Sequence, residues 1–395
     1  MHRLSWICVG QSAPSSPRAK NGLKVLAGVL LAGAAAVGCG DSSSDHAGDI
    51  ASASATDAGA SDAGSAADSC APGVVSSCTA STVPGSCQVG SLTACTSFTT
   101  PTGTTLQLGP YGALMEANVG KGFENEVQMA DKPGSSATCS AFTSIFGEDP
   151  KLTAQLLQTT IDGLTLDFAL YTVYRPATWK AGETYPVITW GNGTCAQPEG
   201  YGALLRFVAS HGYVIIAANS RWVGMGSPAP MLHALDYAAA ANADPASPYY
   251  QKLDLTKVGA MGHSQGGAAT VSAVSDARIS SAIVFNASDT NVAKPYLAIS
   301  GDADITGFTP ASMAMDINAS AVAAAYLYYH NPAGMGPIKG HLLLMLSPDR
   351  VTGPTLAYWQ MMLRNDADSR TWFQGTNCKL CNQAMDFEFG THSLN

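Results

Sequence analysis

The sequence predicts an α/β fold: a mostly parallel central sheet with helices on both faces, preceded by an N-terminal disulfide-containing extension. Three observations carry that prediction. Short apolar runs that do not alternate with polar residues recur between helical stretches, as strands of a parallel sheet buried on both faces do. One such run, Lys257-Val258-Gly259-Ala260-Met261, leads through Gly262-His263-Ser264-Gln265-Gly266-Gly267 into a small-residue stretch, Ala268 to Val274, that reads as a helix. Finally, 46% of the 395 residues are apolar and only 12% charged, a balance suited to a large buried core.

Taken from the start, residues 1–38 read as an export signal. Arg3, Arg18, Lys20 and Lys24 supply positive charge around the start of Leu26 to Val37, an apolar run too short to span a bilayer stably. The run closes on Ala36-Val37-Gly38-Cys39, small residues leading to a cysteine, as in a bacterial lipobox. Cys39 is therefore the candidate lipidation site, and the expected location is the bacterial cell envelope, lipid-anchored, or the secreted fraction. Loss of the four basic residues takes the formal charge from −9 to about −13. No basic patch is present, so nucleic acid is not an expected partner, and a membrane is one only through the anchor.

Residues 40–69 are almost entirely Ser, Ala, Gly and Asp. That composition buries too little surface to fold and predicts a flexible acidic linker. Residues 70–108 form a small cysteine-rich extension with Cys70, Cys78, Cys87 and Cys95. Cys139, Cys195, Cys378 and Cys381 follow. Once Cys8 and Cys39 are set aside, the remaining even number in an exported chain reads as disulfides of open connectivity. Cys378-x-x-Cys381 also has the spacing of half a zinc site or a redox pair. It lacks nearby histidine ligands, so no metal is expected.

Residues 109–395 form the expected catalytic domain. Leu152 to Thr160 suggests a short helix, and Thr165 to Tyr174 alternates as antiparallel strand until Arg175-Pro176. Tyr185 to Trp190 is a buried strand stopped by Gly191-Asn192-Gly193. Helix (201–210), strand (213–218), helix (231–241) and the strand before Ser264 follow. Further strands are expected at 282–285, 296–300 and 323–329. In such a sheet, reactive groups belong on loops at the carboxyl ends of strands.

Ser264 sits where strand turns sharply to helix. A serine there is held in a strained backbone conformation, and only a small residue fits two positions either side, at Gly262 and Gly266. The hydroxyl then stands above the sheet edge. The new helix points its positive end, and the Gln265 N–H, at whatever bonds to that oxygen. A serine hydroxyl is a poor nucleophile at neutral pH, so it needs a base, and the base needs an orienting acid. In a strand–elbow–helix sheet the chain order is Ser, acid, His. Asp304, in Gly301-Asp302-Ala303-Asp304 at a strand end, is the acid that fits best, with Asp302 as fallback. Of the histidines after it, His341 lies on a loop behind Gly340. His330, at the end of the strand itself, is its nearest rival, and His392 is placed in a terminal tail. His263 points the wrong way for a base and is expected to wall the site. The second oxyanion donor is assigned to the Thr194 N–H, on the glycine-rich loop after the first central strand, which a disulfide at Cys195 would stiffen.

The segments Trp190-Gly191-Asn192-Gly193-Thr194, Ala209 to Ile215, Gly262 to Gly267, Gly301-x-x-Asp304, Gly340-His341 and Thr352 to Trp359 together resemble the polyester hydrolase, cutinase-like and chlorophyllase-like group of bacterial α/β hydrolases. The resemblance spans roughly residues 165–380. It implies the α/β-hydrolase fold, a serine esterase with an accessible cleft, a triad at Ser264, Asp304 and His341, and oxyanion donors at Thr194 and Gln265. It also implies a last helix, and the step beyond it, over Trp359 to Phe373. Three positions depart from the group. Thr194 stands where polyester hydrolases carry an aromatic residue, Ser288 near where they carry a tryptophan that grips an aromatic ring, and Gln265 where they carry Met. The resemblance therefore implies ester chemistry with no cofactor, not an aromatic clamp. Two other readings keep the same fold: a tethered binding protein without activity, and an acyltransferase or peptidase using the same three residues.

Overall fold

The computed structural model describes residues 104–120, 170–194, 196–219, 227–287, 291–330, 340–381 and 386–394. It also describes three short strands before them: β1 (Cys78–Ala80), β2 (Cys87–Val89) and β3 (Ser97–Thr99). β1 pairs antiparallel with β2, and β3 with β4 (Thr105–Gln107). The expected signal, linker and 152–160 helix, and residues Cys139, Cys195 and Ser288, lie outside the described residues.

The body is a nine-stranded sheet in the order β13-β12-β11-β10-β9-β7-β8-β6-β5. Its strands are β5 (Ala113–Val119), β6 (Tyr171–Pro176), β7 (Tyr185–Gly191), β8 (Val214–Ala218), β9 (Leu253–His263), β10 (Ile279–Phe285), β11 (Tyr296–Gly301), β12 (Ala324–Tyr329) and β13 (Phe387–His392). The six strands from β8 through β12 along the sheet run parallel. The two edges close with antiparallel pairs, β6 and β5 on one side and β13 on the other.

The unalternating strands are buried on both faces, as their composition demands. On one face Ile188, Trp190, Met261, Phe285 and Leu327 pack under α1 (Gly202–Ser210) and α6 (Pro348–Arg364). On the other, Val187, Ala260, Val284 and Ala298 pack under α2 (Ala229–Ala243), α3 (Gln265–Ala273) and α4 (Pro310–Ala319). Each fully buried Leu, Ile or Phe contributes roughly 1.5–3 kcal/mol to that core. Chain order places β8 on one side of β7 and β9 on the other. The order in which strands are added therefore reverses between β7 and β9, the kind of switch point at which open α/β sheets bind ligands beyond the carboxyl ends of their strands.

Two expectations are corrected. The last long helix is α6, which starts at Pro348 rather than Trp359. Proline suits the first helical turn, and Asn365, in the left-handed region at φ 54°, ends the helix. The short α5 (Leu343–Leu346) precedes it, and α7 (Ala367–Arg370) follows, capped by the Asp366 side chain, which accepts from Ser369 N at 2.6 Å. His392 lies not in a tail but on β13, opposite Ala324. Phe387-Glu388-Phe389 alternates with the period of a strand and packs Phe387 and Phe389 on one face. A disulfide joins Cys378 to Cys381, with 5.0 Å between their Cα atoms.

Candidate active site

Four loops meet at the carboxyl ends of β7, β9, β11 and β12, and each carries one residue expected from the sequence. Ser264 ends β9 at φ 55° and ψ −121°, a conformation open to a non-glycine residue only where its surroundings hold it. Its own N–H is pinned to Phe285 O at 2.8 Å, and α3 begins at the next residue. The tightness of the turn shows in its glycines. A Cβ on Gly266 would lie 2.2 Å from Gly191 O and 2.4 Å from Asn192 O, and one on Gly262 would lie 2.3 Å from Gly266 O. Gly191 and Gly262 are register partners. The first turn of α3 therefore lies directly against the end of β7, with Gln265 and Thr194 on adjoining turns.

The loop after β7 is built on buried polar contacts. Asn192 accepts from Trp190 Nε1 at 2.7 Å and donates to Ala218 O at 2.9 Å. The Gly193 N–H donates to the Tyr201 hydroxyl at 3.0 Å, and Ala196 N donates to Gly193 O at 3.1 Å. The Gly193 amide is thus committed. The Thr194 N–H has no partner among the described residues, which singles it out within this loop.

Asp304 and His341 form a sealed pair. His341 Nδ1 lies 2.8 Å from Asp304 Oδ1, and the two side chains are 4% and 0% exposed. Every remaining direction of the carboxylate is filled. Thr306 N donates to Oδ1 at 3.0 Å, Ser300 Oγ to Oδ2 at 2.6 Å and Asn286 Nδ2 to Oδ2 at 2.8 Å. Burial alone would push the Asp304 pKa up. The hydrogen bond and charge of His341, with Ser300 and Asn286, outweigh burial and hold it well below the usual carboxylate range. An ionised Asp304 only accepts, so His341 carries its proton on Nδ1 and leaves Nε2 as the basic nitrogen. Asn286 also donates to Gly340 O at 2.9 Å, fixing the backbone just before His341. Gly340 itself packs onto the end of β11, where a Cβ would meet Asp302 O at 2.2 Å.

The fallback pair is elsewhere. Asp302 Oδ2 lies 3.4 Å from His330 Nδ1, and His330 Nε2 lies 3.0 Å from Glu388 Oε1, all three side chains more than a third exposed. The two residues that competed with Asp304 and His341 thus pair with each other on the open edge of the sheet. His263, expected to wall the site, is buried against His341. Its ring centroid lies 4.8 Å from that of His341, which brings the His341 ring beside the residue preceding Ser264.

Sequence reasoning missed Asn286, Ser300, Tyr201 and Glu199. The signals for the first two were faint: a polar residue at the end of an apolar strand. Glu199 sits in the turn behind Thr194. The residue as a whole is half-buried, yet its Oε2 is sealed from solvent and has no hydrogen-bond partner. Its Oε1 lies 3.0 Å from Thr172 Oγ1, which lies 2.6 Å from Asn219 Oδ1. One hydroxyl proton serves one acceptor, so the chain is satisfied when Glu199 is protonated and donates to Thr172. Burial pushes the Glu199 pKa up from 4.5 to about 7, with the Thr172 hydrogen bond and Arg206 opposing it. A carboxyl that holds its proton more tightly when folded loses stability for the fold as pH rises between those two values. Glu199→Gln should remove that loss, raising Tm at pH 8 by on the order of 2–6 °C and hardly at all near pH 4.5. Thermal melts of both chains at the two pH values check this. An equal difference at both would contradict it.

Among the described residues, no group of three or more His, Cys, Asp and Glu could hold a metal ion. No described helix is long and apolar enough to cross a membrane.

A doubly covered parallel sheet carrying Gly-x-Ser-x-Gly in a left-handed turn above it defines an α/β hydrolase. Residues 155–330 are similar to the family model described as PETase, PET hydrolase-like. The match supports an ester hydrolase of the α/β-hydrolase type. It spans Thr194, Ser264, Gln265 and Asp304 and ends before His341. No curated protein matches the chain.

Proposed function

We propose that this chain is an exported serine hydrolase that cleaves carboxylic esters through an acyl-enzyme. The observation that carries the reading is the sealed Asp304–His341 pair at 2.8 Å, its imidazole against the ring of His263, the residue before a serine held at φ 55°. His341 Nε2 takes the proton as Ser264 Oγ bonds to the ester carbonyl carbon. The carbonyl oxygen becomes an oxyanion, held by the Gln265 and Thr194 N–H groups. Collapse of the tetrahedral species breaks the ester C–O bond, and His341 returns the proton to the departing alcohol. Water, deprotonated by His341, then releases the acid and restores Ser264. Asp304 stays ionised, fixing the imidazole tautomer and stabilising the imidazolium. No step needs a metal or an organic cofactor.

Residues 1–38 direct export in this reading. Cys39 takes the lipid, residues 40–69 tether the body, residues 70–108 form the extension, and residues 109–395 carry the reaction. One preparation tests both parts. The full-length chain, expressed in a bacterial host, should hydrolyse p-nitrophenyl butyrate, with the activity in the membrane fraction. Activity confined to the cytoplasm contradicts export, and absence of turnover contradicts the esterase.

A further inference from the structure

His263, between Gly262 and the serine, does more than pack against His341. Its side chain is buried and makes two hydrogen bonds of defined polarity. Nε2 lies 2.7 Å from His341 O, a carbonyl that can only accept, so the proton is on Nε2. Nδ1 lies 2.9 Å from the Tyr201 hydroxyl. With its proton on Nε2, a neutral His263 accepts at Nδ1, so Tyr201 must donate there. The Tyr201 oxygen in turn accepts the Gly193 N–H at 3.0 Å. Burial, then the neighbouring His341, push the His263 pKa down to about 3, which keeps the ring neutral and the pattern fixed. The result is one directional chain: Gly193 N–H to Tyr201 O–H to His263 Nδ1, and His263 Nε2–H to His341 O. It starts on the loop that presents Thr194, passes through the residue before Ser264, and ends on the backbone of the residue assigned as base. A Cβ on Gly193 would lie 2.8 Å from His263 Nδ1, so this loop is seated directly on the ring.

We propose that His263 is a positioning residue that locks the His341 loop to the Thr194 loop, setting the spacing between base and oxyanion donor. The proposal rests on the esterase reading above. Its energetic logic is orientation. His341 is anchored through Asp304 on its side chain and through Asn286 at the preceding carbonyl. The bond from His263 adds an anchor on its own carbonyl and joins it to the oxyanion loop, and a displacement near 1 Å lowers turnover by about 10²-fold. Because the chain touches neither the ester nor the hydroxyl, its loss should act on turnover rather than on substrate binding.

The test uses the full chain and three variants, with steady-state hydrolysis of p-nitrophenyl butyrate. His263→Phe keeps a ring and removes both hydrogen bonds. It should lower kcat by about 10–100-fold and move KM by less than about 3-fold. His263→Gln, whose amide can still donate to His341 O, should recover most of that loss. Tyr201→Phe breaks the chain at its middle and should lower kcat by about 3–10-fold. It also serves as the readout should His263→Phe fail to fold. Unchanged kcat in a folded His263→Phe chain, a raised KM at constant kcat, or a His263→Gln chain no better than Phe overturns the proposal. So does unchanged kcat in Tyr201→Phe. If wild-type chain is active and loses activity in Ser264→Ala while these variants behave as wild type, only the positioning role fails. If wild-type chain neither turns over ester nor takes a fluorophosphonate, the esterase reading fails and this proposal with it.

Discussion

Ser264→Ala should lower kcat for p-nitrophenyl butyrate by on the order of 10⁶-fold, to within a few orders of magnitude of the reaction in water. That corresponds to roughly 8 kcal/mol of lost transition-state stabilisation. The size follows from the position. Ser264 supplies the only protein atom that bonds to the substrate in the scheme, so nothing short of direct attack by water replaces it. The fold should survive, because the turn is held by backbone and glycine contacts. The Ser264 N–H to Phe285 O bond and the close seat of Gly266 on Gly191 and Asn192 do not involve the hydroxyl. Near wild-type turnover in a variant that melts with the wild-type transition would remove Ser264 from the mechanism.

Asp304→Asn should cost about 10⁴-fold in kcat with little change in KM. Four donors converge on this carboxyl: His341 Nδ1–H and Thr306 N on one oxygen, and Ser300 Oγ and Asn286 Nδ2 on the other. An amide offers one oxygen and one NH₂, so a donor must face a donor. If the NH₂ turns toward His341, the imidazole shifts its proton to Nε2 and can no longer act as base. If it turns toward Asn286 and Ser300, the brace that holds Gly340 loosens. Kinetics at several pH values check the result. A loss below about tenfold would mean that the carboxylate does not orient the base.

How much of this was legible in the sequence depended on the length scale of the signal. The central strands were, because burial on both faces writes an unbroken apolar run such as Tyr213 to Ala218. The elbow was, because its glycines are forced by contacts near 2.2–2.4 Å that no other residue survives. Asp304 and His341 were singled out by chain order and strand ends, and the two side chains pair at 2.8 Å. The braces were not. Asn286, Ser300 and Tyr201 come from three separate elements, and no spacing in the sequence links them, so only proximity shows that they converge. The edge strand β13 was hidden in a short chain end, and α6 was started late because Pro348 was not read as a first-turn residue. Glu199 carried no signal, because a glutamate in a turn is ordinarily solvated, and only the fold shows its carboxyl buried and bonded to Thr172.

The central claim is that Ser264 Oγ is the nucleophile and His341 its base. The most direct measurement is peptide mass mapping of the full chain after a fluorophosphonate probe, with labelling rates for wild-type and His341→Asn chains. The account predicts a phosphonyl adduct on Ser264, with labelling slowed at least about 10²-fold in the His341 variant. An adduct on another serine, or equal rates in the two chains, would contradict it.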